Sequence, residues 1–207
     1  RLEPTLSVAA VTVVLTVLIA VPLGVLAASR RGGRLDRFIM GASVLGFSVP
    51  VFVAGYLMIW LFSMQLGWLP SQGYNRIAGG VGPWLRTLVL PCVTLAVMYA
   101  ALIARVTRAA VSEALTEDYV RTARAKGISQ WRMLTRHALA NAAVPIATII
   151  GLSVAGLIGG VVVTETIYAI PGLGQLTVDA VLSRDYPLIQ GITLFFSLVY
   201  VVVNLLV

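Results

Sequence analysis

The sequence predicts an all-α integral membrane protein, a polytopic helical bundle, and three observations carry that prediction. Of 207 residues, 59% are hydrophobic and 11% charged, against about 25% charged in ordinary soluble domains. Mean hydropathy is +0.95. Apolar runs long enough to cross a bilayer, roughly 20 residues each, recur along the whole length, so residues 1–207 read as one membrane domain.

Five spans follow in order, at roughly residues 6–28, 38–62, 85–104, 142–164 and 188–207. The first carries Pro22 and Gly24 near its end, and it lacks the basic leader and cleavage site of a signal peptide. The second is interrupted at Ser48-Val49-Pro50, where a proline ring removes a backbone donor and kinks a helix. Pro91 lies early in the third. The fourth repeats small residues every four positions, Ala143, Ala147, Gly151, Ala155 and Gly159, with Gly156 and Gly160 beside them. Positions i and i+4 share a helix face, and a small-residue stripe lets another backbone approach closely in lipid. That approach suits ordinary packing within the chain, or a pathway or gate formed against a partner.

Basic residues orient the spans. The loop after span one holds Arg30, Arg31, Arg34 and Arg37, and the region after span three holds Arg105, Arg108, Arg121, Arg124, Lys126, Arg132 and Arg136. The other two loops hold Arg76, Arg86 and Arg184. Eleven cations against three place the first and third loops in the cytoplasm, residue 1 outside and residue 207 inside. The net charge of +7 is thereby explained by topology rather than by nucleic acid. An odd number of spans with an external start suggests a piece of a longer chain, with a helix missing upstream.

Both external loops have features. Trp68 and Trp84 in the first suit the membrane interface. The second mixes turn signals with an amphipathic stretch (Leu176, Val178, Ala180, Val181, Leu182), expected as a short helix folded back over the outer mouth. Neither Gly172-Leu173-Gly174 nor Gly79-Gly80-Val81-Gly82 is a phosphate loop, and no GxxxxGK[ST] occurs.

The long polar segment from Glu113 to Pro145 is predicted as two helices about a turn. The first runs from about Ser112 to Lys126, with acidic residues early and basic ones late, as the helix dipole favours. Gly127 fits the left-handed position after a helix, with Ile128 as its apolar contact. Ser129 is a candidate N-cap for the second helix, which leads through Trp131 and Leu134 into span four. A solvated charged loop would account for the cations alone. Small residues Thr122, Ala123 and Ala125 alternating with long cations also suit a helix tip that enters a groove on another protein.

YVRTARAKG followed by RHALANAAVP resembles the cytoplasmic EAA loop of permease subunits of bacterial ATP-binding-cassette importers. The general pattern is Glu-Ala-Ala, three residues, Gly, nine residues, Ile, one residue, Leu-Pro. Here Arg121-Thr122-Ala123 stand at the first three positions, and His137, Leu139 and Ala140 at the last three. Those departures are similar to the dipeptide, oligopeptide and nickel branch, which reads ARAKG and then HALRNA. SVPVFVAGYL, LGWLPSQGY and ETIYAIPGLGQLTVDAVLSRDYPLIQG resemble that branch too, the last its first-permease type. The resemblance implies a MetI-like fold of six spans in the full subunit, a missing first helix before Arg1 and a cytoplasmic end after Val207. It implies a second permease subunit, two ATPase subunits that hold the ATP and Mg, and an external solute-binding protein, with no cofactor bound by this chain. It further implies ATPase coupling through Asp118, Tyr119, Arg121, Thr122, Ala123, Arg124, Ala125, Lys126 and Gly127, and transport of peptides. Nickel, glutathione or sugar cargo stays open.

Single residues add little chemistry. Cys92 is alone in an apolar run and reads as a packing residue. His137, the one His, reads as a satisfied polar group, so no His-rich metal site is available. Ionisable groups at membrane depth are costly and usually functional. Glu165 is therefore the candidate for lining the outer vestibule, unless it is simply wet or paired with Arg184. Gly156, Gly159, Gly160 and Asp185 complete the pathway or outer-gate candidates. No Ser/His/Asp set or close carboxylate pair supports an intramembrane enzyme, and a stand-alone secondary transporter or channel would need the buried charges or inverted repeats that are not seen.

Overall fold

The computed structural model describes residues 1–206, apart from the side chains of Arg121 and Arg124. In lipid a spanning segment must satisfy its own backbone, which helices do and open strands do not; the described residues are helices and connections. They run α1 Leu2–Ser29, α2 Arg34–Ser48, α3 Val51–Met58 continuing as a π-helical segment Ile59–Gln65, α4 Val81–Ala114 and α5 Asp118–Ala125. Then come α6 Gln130–Arg132, a π-helical segment Met133–Ala138, α7 Leu139–Asn141, α8 Ala143–Ile167, α9 Leu173–Ser183 and α10 Tyr186–Leu206. Helices α1, α4, α8 and α10 are long and apolar enough to cross a membrane, and the broken pair α2 and α3 makes a fifth candidate.

The second predicted span breaks where proline required it. Pro50 has extended backbone, α2 stops at Ser48, and α3 restarts at Val51. The predicted amphipathic helix after α8 forms as α9. The third span differs from expectation: the predicted end near Ala104 is overrun by ten residues, because α4 continues to Ala114. Beyond Ala104 the hydropathy falls while the helical pattern persists, with Thr107, Val111 and Ala114 buried. The helix expected from about Ser112 is therefore two elements, the end of α4 and the separate α5, joined by a turn at residues 115–117.

The chain divides into two compact units. One contains Arg1–Leu15, Val49–Val97 and the chain from Gly151 onward. At its centre lies Tyr168, fully buried, whose hydroxyl shares a hydrogen bond with the Thr94 hydroxyl at 2.8 Å and donates to the Gly55 carbonyl at 3.3 Å. Burial of the ring is stable because its polar end is satisfied. Gly55 of α3 lies against Ile167 and Thr94, where a Cβ would meet the Ile167 side chain at 3.4 Å, an ordinary contact distance. Cys92 is buried in this unit, its thiol donating to the Val8 carbonyl at 3.6 Å, as a packing residue would.

The other unit contains Thr16–Ser48 and Met98–Ile150. Val25 and Ala28 of α1, Val111 and Ala114 of α4, and Leu134 and Ala138 of the π segment form its core. Ala20, Ala100, Ile103 and Ala104 form a second cluster. Small residues dominate because α1 and α4 approach closely. A Cβ on Gly24 would lie 2.5 Å from the Thr107 Cβ and 2.8 Å from the Ala104 carbonyl oxygen.

Candidate functional site

Helix α5 is short, and its sequence splits it into two faces. Val120 and Ala123 turn inward and are buried, and the helix packs on the Met133–Ala138 segment. Thr122, Ala125, Lys126 and Gly127 are exposed. Asp118 opens the helix at its N-terminal end, where a negative charge complements the dipole. The Thr122 hydroxyl donates back to the Asp118 carbonyl at 3.1 Å. Tyr119 is half-buried, and its hydroxyl has no hydrogen-bond partner among the described residues. The predicted contacts of Arg121 and Arg124 lie outside the described residues.

The stop after α5 follows the predicted chemistry. Gly127 has φ of +76° and the Ile128 amide donates to the Ala123 carbonyl at 3.2 Å, a closing pattern that needs a left-handed residue. Ser129 occupies the N-cap position of α6, although its side chain makes no capping hydrogen bond. The Ser129 carbonyl accepts from the Met133 amide instead, at 3.0 Å. The result is a small helix that exposes Thr122 and Ala125, followed by the exposed Lys126 and Gly127. Such a tip can enter a concave surface, and its cation can pair with acidic groups there.

Near the start of this unit is a contact that local sequence does not signal. Arg108 Nε and Nη2 donate to Asp36 Oδ1 and Oδ2 at 2.5 and 2.7 Å. The Asp36 side chain is 3% exposed and that of Arg108 27%. Gly32 adds a backbone amide to Oδ2 at 2.9 Å. Asp36 precedes the apolar run that begins at Phe38. The Arg108 guanidinium, helped by the Gly32 amide, holds its carboxyl down to about 2 although burial pushes the other way.

Glu165 sits in the first unit with no exposed surface. Its Oε1 accepts from the Thr5 hydroxyl at 2.6 Å, and its Oε2 from the amides of Gly174 and Gln175 at 2.7 and 3.1 Å. Thr5 in turn accepts from the Leu173 amide at 2.8 Å. The first amides of α9 have no partner within the helix, so Glu165 caps α9 from a different helix. It is neither wet nor bonded to Arg184. A Cβ on Gly172 would overlap the Glu165 carboxylate, and one on Gly174 would lie 2.5 Å from the Val162 Cα. Both glycines are what lets the carboxylate reach these amides.

The remaining pathway candidates do not gather around it. Gly156 and Gly159 are exposed and Gly160 half-buried along α8, whereas Gly151 and Ala155 of the same stripe are buried. Asp185 is exposed, and its Oδ1 accepts from the Leu188 amide at 3.1 Å, which makes it the N-cap of α10. Among the described residues no group of three or more His, Cys, Asp or Glu side chains is placed to hold a metal.

Comparison with known proteins bears on what this arrangement belongs to. The chain is 55% identical, over its whole length, to a probable peptide ABC transporter permease protein, y4tP, of Sinorhizobium fredii, and spans 66% of that protein. It is 42% identical over its whole length to a putative peptide transport system permease protein of Brucella abortus, again spanning 66% of it. Identity is also 42% to the glutathione transport system permease protein GsiC of Escherichia coli, of which it spans 65%. The fold matches a chain of the MetNI methionine ABC transporter in an inward-facing conformation, with a TM-score of 0.81 and 19% identity. That match covers 98% of this chain and 88% of the other. Residues 20–207 match the model of one family. The chain belongs to the binding-protein-dependent transport system inner membrane components, and its helical bundle is of the MetI type.

Proposed function

We propose that this chain is the transmembrane permease subunit of an ATP-driven importer of peptides, forming half of the pathway beside a second permease. Two ATPase subunits bind and hydrolyse the ATP with Mg, an external binding protein delivers the cargo, and this chain carries no catalytic group. The observation that carries the reading is α5, a separate eight-residue helix that exposes the small residues Thr122 and Ala125, with the exposed Lys126 just after its end. Residues Asp118 to Gly127 dock in an ATPase groove, and closure of the ATPases moves α5 and, through its packing on the Met133–Ala138 segment, the helices that follow. An element biased by a partner between two arrangements is a general means of alternating access. Positive charge on the flanking loops supports the orientation with α5 in the cytoplasm.

Peptide cargo is favoured by the relatives in Sinorhizobium and Brucella, a probable and a putative peptide permease, and glutathione, itself a peptide, by the glutathione permease of Escherichia. The test is ATP-driven uptake by the complex of full-length subunits reconstituted in liposomes. Ala125→Trp places a bulky ring on the docking face without touching the buried Val120 and Ala123. Uptake is expected to fall at least tenfold while the subunits still co-purify. Wild-type uptake by an assembled Ala125→Trp complex overturns the coupling role.

A further inference from the structure

A half-open groove of about 420 Å³ lies within the second unit, beside the C-terminal turns of α1. Its volume falls in the range of small-molecule sites, roughly 300–1,000 Å³. Val25 and Leu26 of α1 line it together with Trp131, Leu134 and Leu139 from the segments that follow α5. Trp131 is 70% exposed. The two hydroxyls in the wall are already used: Ser29 donates to the Leu26 carbonyl at 2.7 Å and Thr135 to the Trp131 carbonyl at 2.9 Å. One cation completes the lining. Arg30 has no ion pair or hydrogen bond through its side chain among the described residues, and no acidic side chain lines the groove.

An apolar trough with one unpaired guanidinium at its lip matches an amphiphile with an anionic head and an apolar tail. A peptide segment fits less well, since its backbone groups would enter walls that have no free donor or acceptor for them. Arg30 stands where the apolar run of α1 gives way to Arg-Arg-Gly-Gly-Arg, and Trp131 is the ring type that settles at a membrane surface. A bilayer presents the matching molecule at that depth, and clustered arginines beside a span favour anionic lipid.

We infer that this groove is a binding site for an anionic phospholipid, one acyl chain lying along Leu26, Leu134 and Leu139 and the phosphate at Arg30. The site is independent of the transported cargo and of the docking of α5.

The test uses the full-length protein, with every tryptophan except Trp131 replaced by Phe, in phosphatidylcholine bilayers. Phosphatidylglycerol or phosphatidylcholine with brominated acyl chains is added in increasing amounts, and quenching of Trp131 is followed. Half-maximal quenching is expected at a three- to fivefold lower mole fraction of the brominated phosphatidylglycerol. Arg30→Gln brings the two curves together, whereas Arg37→Gln leaves them apart. Coincident curves before mutation, a separation that survives Arg30→Gln, or equal loss in Arg37→Gln (diffuse surface charge) each overturn the site. Absence of quenching by either lipid also overturns it, since protein would then cover the groove. Native mass spectrometry on the protein with all its tryptophans gives the same comparison: phosphatidylglycerol is retained over phosphatidylcholine, and Arg30→Gln removes the preference.

Discussion

The Glu165 carboxylate and the Gly174 amide, nine residues apart, are joined by a hydrogen bond of 2.7 Å that ties the end of α8 to the start of α9. With Thr5 on Oε1 and Gln175 also on Oε2, the carboxylate receives three donors at a site closed to solvent. Glu165→Gln keeps the shape but turns one acceptor into a donor, so one of these contacts is lost or opposed. The expected cost is about 1.5–3 kcal/mol. It is read as a lower melting temperature in detergent together with faster proteolysis between Ala169 and Asp185. An unchanged melt and an unchanged cleavage pattern would show that the cap does not hold α9.

The same site predicts a coupling between Gly172 and Glu165. An added methyl at Gly172 collides with the carboxylate, and overpacking of this kind costs about 1–3 kcal/mol. Removing the carboxylate opens that space. Gly172→Ala is therefore expected to destabilise the otherwise unaltered protein by at least 0.5–1 kcal/mol more than it destabilises Glu165→Ala, in the range usual for contacting pairs. Additive effects would mean that the collision is relieved by movement of α9 instead.

Asp36 and Arg108 give a pH dependence with a definite sign. The Asp36 carboxyl goes from its ordinary value near 3.8 down to about 2 when the protein folds. A depressed carboxyl contributes stability that is complete above about pH 4 and lost as the pH falls through about 2. Asp36→Asn removes it at every pH and leaves Arg108 without its partner, a loss of about 3 kcal/mol for a largely buried pair. Melting temperatures of the two proteins should differ most at pH 6 and converge toward pH 2. A constant difference across that range would contradict the assignment. Arg108→Lys is expected to restore little, because an ammonium lacks the planar two-pronged geometry.

Gly24 sits at a close approach of α1 and α4 in the second unit. Its missing Cβ faces both the Thr107 side chain and the rigid Ala104 carbonyl. Gly24→Ala should cost about 1–3 kcal/mol even though alanine is the better helix former. Pairing it with Thr107→Gly should recover part of the loss, measured by thermal unfolding in detergent. Gly41, with open space around its Cβ position, is the control and should tolerate Ala.

Much of this architecture was legible because it depends on local chemistry. The apolar runs gave the spans, Pro50 the break between α2 and α3, Gly127 the end of α5, and the apolar spacing around Ala180 the helix α9. The length of α4 was obscured because Arg105 and Arg108 lower the hydropathy without interrupting the helix. Small-residue spacing marks α8, whereas a close approach of α1 and α4 in the second unit is made at a lone Gly24. Asp36 and Arg108 are 72 residues apart and Thr5 and Glu165 are 160 apart. No periodicity within one helix records such pairings. The role of Glu165 as a cap depends on α9 folding back to present its amides, which is tertiary information.

On the proposed function, α5 is the surface that meets the ATPase. Cys92 is the single cysteine of residues 1–207 and is buried, so Ala125→Cys introduces one accessible thiol. The decisive measurement is crosslinking from that position, with a short photoactivatable maleimide, in membranes containing the full set of transporter subunits. One dominant adduct is expected, with an ATP-binding subunit, and its yield changes when ATP is added. Efficient labelling of the thiol with no ATPase adduct, in a complex shown to be assembled, would contradict it.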